Sequence, residues 1–161
     1  MLNNNEAVLR PPFLLLFLNK NMLQELYNKI EQYALNTKNV NSFTIGDVYT
    51  VWNSLNMTYG AFNVVLNNMK RQDDFYLLDM TMYYGGKLHN NSDNVYLLQD
   101  IGFKVIENVI KHLKDDYEYD DDYIITIYPF WQKFADLLAG AYADFQLIIP
   151  IEDICDNYDK E

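Results

Sequence analysis

The chain has 161 residues, of which half are apolar and 16% aromatic, and carries 23 acidic against 12 basic residues for a net charge of -11. That length fits one domain with a real core, and the apolar content excludes a disordered chain. The acidic balance excludes a nucleic-acid clamp and argues against docking on anionic membranes, because both draw their affinity from Lys and Arg.

Residues 1–19 read as an N-terminal arm, with polar MLNNNEAVLRPP followed by FLLLFL. Six apolar residues fall far short of the roughly 20 that span a bilayer, so no membrane insertion is expected. Pro11 and Pro12 ahead of the run, and no small-residue cleavage site after it, also read poorly as a signal peptide. From Asn21 to Asn36, Leu23, Leu26, Ile30 and Ala34 recur at three and four, which predicts a helix. A second, shorter helix is expected to start with Thr44 as its cap and to align Val48, Val51, Trp52 and Leu55.

AFNVVLNNM and FYLLDMTMYY alternate on either side of the polar turn KRQDD, which predicts an antiparallel hairpin. Tyr76, Leu78, Met80, Met82 and Tyr84 should share its buried face, leaving Asp79 and Thr81 toward water or a partner. GGKLHNNSDN reads as a loop ending in a helix cap. The long helix 95–114 carries a stripe of Leu98, Ile101, Val105, Val109 and His112, widened by Gly102, Ile106, Ile110 and Leu113.

DDYEYDDD then reads as an acidic loop, and YIITIYPF as a strand that Pro129 stops or bends. In FADLLAGAYADFQLIIP the first six residues look helical and the rest alternate, so Gly140 is expected to mark a strand entrance or bulge. The order of elements predicts an α+β domain over residues 20–151. Its sheet is four-stranded and largely antiparallel, built from the hairpin and two C-terminal strands, packed by one long helix with the N-terminal helices beside it. Residues 152–161 form an acidic tail.

No motif for chemistry emerges. His89 sits in a Gly/Asn loop and His112 near a helix end, neither within a recognisable constellation. Cys155, the one cysteine, permits no intrachain disulfide, and Glu152, Asp153 and Asp156 around it oppose thiolate formation. There is no zinc spacing, no phosphate loop and no EF-hand pattern in DDYEYDDD. Catalytic residues, metals and cofactors are therefore all expected to be none, and the chain is not expected to be an enzyme.

Three stretches do carry a resemblance: YGAFNVVLNNMKRQDDFYLLDMTMYYGGKL, the loop and helix NNSDNVYLLQDIGFKVIENVIKHL, and YPFWQKFADLLAGAYADFQLIIPI. Over residues 20 to 151 the chain resembles neck and tail-terminator-like ring proteins of tailed bacteriophages, especially the crAss-like phages of gut Bacteroides. The resemblance implies a virion structural protein, made in the bacterial host cytoplasm and assembled as a six- or twelve-fold ring of its own copies. It implies adjacent neck, portal or tail proteins as partners and DNA only as passing cargo in an exit channel. The arm and the acidic tail match nothing in that pattern. The charged hairpin tip, Lys70, Arg71, Asp73 and Asp74, is the candidate contact between subunits or rings. The alternative reading is an acidic phage-encoded module that binds and inhibits a host protein.

Overall fold

A computed structural model gives the fold and describes residues 22–53, 57–117, 125–133 and 137–150. The elements are α1 (Met22–Leu35), β1 (Ser42–Ile45), α2 (Val48–Trp52), β2 (Ala61–Arg71), β3 (Phe75–Lys87), α3 (Val95–Asp116), β4 (Ile127–Lys133) and β5 (Leu138–Pro150). They make an α+β fold around one sheet of order β1-β2-β3-β5-β4, parallel between β1 and β2 and antiparallel elsewhere.

The alternation in β3 dictates the core. Tyr76, Leu78, Met80, Met82 and Tyr84 lie on one face, level with Ile149, Leu147, Phe145, Ala143 and Ala141 of β5. Onto this face α3 lays Val105, Ile106, Val109, Ile110 and Leu113, and α1 adds Leu26, Ile30 and Ala34. Each fully buried Leu or Ile of this set contributes roughly 1.5–3 kcal/mol relative to exposure. His112, although in line with the stripe, is exposed, and its ring stacks on Tyr33 at 5.0 Å.

α3 comes closest to the sheet at Gly102. A Cβ there would stand 2.8 Å from the backbone nitrogen of Ala141 and 2.9 Å from its Cβ. On the opposite face of the sheet Trp52 lies over Gly85, where a Cβ would meet its ring at 2.7 Å, and Gly85 pairs with Gly140. The small residues of LAGAYA thus serve a place where the sheet is covered on both sides. Gly140 lies within β5, and its Cβ would fall 1.9 Å from the Tyr84 carbonyl oxygen, so close approach explains this glycine. The expectation of an entrance or bulge at Gly140 is corrected accordingly.

Other expectations also change. The sheet has five strands and is mixed, where four largely antiparallel strands were expected. The extra strand, β1, is four residues long, too short for its alternation to register, and the sequence T-I-G-D imitates a helix start. Thr44 is in β1 and donates its hydroxyl to Asn63 Oδ1 at 2.8 Å. The cap of α2 is Asp47, whose Oδ2 accepts from the Thr50 amide at 2.9 Å and the Thr50 hydroxyl at 2.7 Å. α3 extends past Lys114 to take in Asp115 and Asp116 of the expected acidic loop.

Pro129 is inside β4, a position open to proline because β4 is an edge strand. The helical reading of 134–139 gives way at its described end, where Leu138 and Ala139 already belong to β5, entered through Leu137 at φ 53°. The expected arm 1–19, Leu55, residues 118–122 of the acidic loop and the tail 152–161 lie outside the described residues.

α1 is fastened to α3 by a surface cluster. The Tyr33 hydroxyl donates to Asp116, the Lys29 ammonium lies 3.5 Å from the same carboxylate, and Asn108 donates to the Thr37 hydroxyl at 2.7 Å. The Tyr33 hydrogen bond, with the Lys29 charge, holds the Asp116 carboxyl below its ordinary range despite some desolvation. The same bond, with burial and the Asp116 charge, pushes Tyr33 up to about 12.

Two predictions follow from this packing. Gly102→Ala forces α3 off the sheet and lowers stability by about 1–3 kcal/mol, read by urea denaturation, whereas Ser92→Ala in the exposed loop leaves it near wild type. The Asp116 contribution is present above the ordinary aspartate pKa and is lost as pH falls through its depressed value. The Tyr33 contribution is present below pH of about 10 and is lost as pH rises through about 12. Asp116→Asn therefore lowers stability at neutral pH and converges on wild type where the wild type has itself lost the interaction, at the acidic and alkaline extremes, measured by denaturation at acidic, neutral and alkaline pH.

Candidate functional site on the open face of the sheet

Among the described residues, the second face of the sheet is covered at one end only. There Val48 and Trp52 of α2 pack with Ala61, Phe130 and Leu138 into a small core, flanked by Tyr83 and Tyr142. Beyond it the strands display cross-strand rows in which like chemistry meets like, the pairing that stabilises sheets.

The first row is aromatic. Tyr128, Tyr142 and Tyr83 stack across β4, β5 and β3 with centroid spacings of 5.2 and 5.5 Å, and Tyr83 meets Trp52 edge-on at 6.1 Å. The row continues on β2 as Asn63, fully buried, which donates to the Gly46 carbonyl at 3.0 Å and accepts from Thr44. Burial, and next the Asp144 charge, raises the Tyr83 pKa and keeps the phenol neutral.

The second row is a relay of short polar side chains: Asn67 Nδ2 donates to the Thr81 hydroxyl, and Thr81 donates to Asp144 Oδ1. In the third, Gln146 donates to Asp79, whose other oxygen is 3.3 Å from the Lys70 ammonium. Desolvation pushes Asp79 up, but the bonds from Gln146 and Lys70 outweigh it and set the carboxyl below its usual range. The last row is apolar again, with Leu77 level with Ile148.

A β-bulge makes these rows possible. The β2–β3 register shifts between Leu66 and Asn68, so the parity set by Phe62, Val64 and Leu66 on the helix side reverses. Asn68 and Lys70 then come to the open face opposite Asp79 and Leu77, while Met69 turns to the helix side opposite Leu78. The sequence carries the signal as two successive asparagines interrupting the alternation.

Of the residues expected at the hairpin tip, Lys70 and Arg71 are in β2, and the turn itself is narrower than KRQDD, closed by Gln72 N–H to the Phe75 carbonyl at 2.9 Å. All four are exposed. Lys70 is drawn back onto Asp79, which places its ammonium with the rows of the open face. Asp79 and Thr81 lie on the face away from the helices, as the alternation predicts, but Thr81 is buried there between Asn67 and Asp144 rather than turned to water. Tyr83, Tyr142, Asn67 and Gln146 went unnoticed as their companions, although Tyr83 and the even positions of β5 follow from the same period of two.

Elsewhere His89 Nδ1 lies 2.8 Å from Asp93 Oδ1, and Asn94 ties the same loop by accepting from the His89 amide and donating to the Lys87 carbonyl. These bonds order the approach to α3. Among the described residues no group of three or more His, Cys, Asp or Glu converges to hold a metal ion, and no helix is long and apolar enough to cross a membrane. Cys155 lies outside the described residues. No protein-family model matches the chain, and no curated protein matches it.

Proposed function

We propose that this chain is a structural subunit of a homo-oligomeric ring at the head-to-tail junction of a tailed phage, part of the DNA exit channel and without catalysis. Its partners are copies of itself and adjacent neck, portal or tail proteins, and its place is the virion. The observation that carries this reading beyond the sequence resemblance is the open sheet face. It is broad, its polar side chains are held by one another, and in its uncovered rows the single described cation, Lys70, is bound to Asp79.

Such a surface suits contact or passage better than chemistry. Asp79 and Asp144 hold negative charge on it, and a wall of this kind repels the phosphates of a duplex that must slide and not stick. The tyrosine row supplies the amphipathic rings that protein interfaces favour, with little side-chain entropy to lose.

The test is the mass of the purified full-length protein by light scattering, together with its presence in purified phage particles. The expected result is incorporation into particles with a closed oligomer in solution or on the particle. A strictly monomeric protein absent from particles overturns the proposal. Stoichiometric recovery of a host nucleic-acid enzyme in a pulldown then favours the inhibitor reading.

A further inference from the structure

α3 is packed on one flank and open on the other. Toward α1 it presents Asn108, His112 and Asp116, a turn apart, and these meet Thr37, Tyr33 and Lys29. Toward β4 it presents Glu107, Lys111 and Lys114, and no described helix lies beside it there. Between this flank and the start of β4 runs a groove of about 370 Å³ whose apolar lining is Ile110, Ile125 and Ile127. Ile125 and Ile127 pack on the edge of the core and stay half-buried.

The chain also holds an apolar segment that needs cover. FLLLFL, residues 13–18, sets six large apolar side chains in a row between Pro12 and Asn19. Left in water, such a run is a contiguous sticky surface. Laid along the groove in extended form, it points every second side chain inward onto the three isoleucines.

Reach decides whose groove the run can fill. α1 begins at Met22 and lies by the C-terminal end of α3, where the Lys29 ammonium stands over the Tyr117 ring at 4.9 Å. Leu18 is four residues before Met22, a span of at most about 14 Å. The groove is on the far flank of α3, a helix about 10–12 Å across whose axis lies about 8–10 Å from that of a packed neighbour. A path from α1 around α3 is longer than the span, so the end of the run falls short of the groove in its own copy.

A second copy meets no such limit. α1 stands toward β1 and the groove toward β4, the two opposite sides of the sheet. Copies set side by side in the same sense bring the α1 side of one against the groove of the next. We infer that residues 13–18 of one copy occupy the groove between α3 and β4 of the next. The contact joins two different surfaces, as a closed ring requires. It rests on the ring reading above and names the element that links its subunits.

The experiment uses the full chain carrying Cys155→Ser, with Leu15→Cys in the run and Lys111→Cys on the exposed rim of the groove, together and each alone, treated with a short bifunctional thiol reagent. A second pair joins Leu15→Cys to Tyr96→Cys, on the same helix but roughly 22 Å from Lys111 at about 1.5 Å per residue. The expected result is a ladder of covalent oligomers from the first pair and none from the second pair or the single variants. Leu14→Asp with Leu16→Asp is expected to lower the mass measured by light scattering while circular dichroism stays unchanged.

An oligomer that gives no ladder from the first pair, or equal ladders from both pairs, overturns the docking and leaves the ring standing, as does an unchanged mass in the aspartate variant. A monomer whose two thiols are joined within one chain overturns it in favour of the run packing on its own copy. Dimers from Leu15→Cys alone overturn it in favour of contact between two runs. A monomer without crosslinks overturns it as well, and the particle assay then decides the ring reading separately.

Discussion

The fold hangs on one close approach. At the level of Gly85 and Gly140 the sheet is pressed between α3, which reaches the backbone of Ala141 through Gly102, and Trp52, which lies on Gly85. Every other coverage of the sheet follows from where these two are set. With α3 fixed at Gly102, its stripe from Val105 to Leu113 runs along β3 and β5 and fills the helix-side core. With Trp52 fixed on the other side, α2 occupies one end of the second face, and no other described helix covers the remainder. Small residues here are structural, since a Cβ at Gly102 or Gly140 must displace backbone and one at Gly85 the buried Trp52 ring.

That arrangement explains why a half-apolar chain spends so many polar residues inside its strands. The uncovered rows cannot be apolar without exposing a large sticky surface, yet polar groups packed side by side on a sheet lose water and need partners. Matching across strands resolves both demands. Asn67, Thr81 and Asp144 satisfy one another, and so do Gln146, Asp79 and Lys70. Asn63 is held between Thr44 and Gly46, which also fastens β1 to the sheet. A face ordered by its own hydrogen bonds keeps its shape before any partner arrives, so little entropy remains to be lost on contact.

The sequence makes legible whatever repeats over many residues. α1, α3 and the hairpin are long enough for their periods to be read, and the buried side of β3 follows residue by residue. β1 is legible only from the structure, because four residues show no period and their stability comes from pairing with β2 rather than from their own pattern. LAGAYA was read as a change of structure when it records the approach of α3 and the Gly85 pairing, both contacts with distant parts of the chain. The open face was half legible: Asp79 and Thr81 declare it, but the bulge hides the contribution of β2 by reversing parity midway. The four charged residues of the expected tip are all exposed, but the pairing of Lys70 with Asp79 across the hairpin could not be read from their neighbours in sequence.

Length adds a final constraint. At about 1.5 Å per residue α3 spans roughly 33 Å, whereas β3 and β5, at about 3.3 Å per residue, reach roughly 43 Å. The strands therefore outrun the helix that covers them, and the excess falls at the hairpin end, where β2 from Asn67 to Arg71 is exposed throughout. A strand end beyond its own core stabilises the monomer little, because it gains ladder hydrogen bonds but buries little apolar area. Yet Met69, Leu77 and Ile148 are still there, and polar residues would serve an isolated monomer better at such positions. Apolar side chains kept past the reach of the core leave this end of the sheet with apolar area that the described fold does not itself bury.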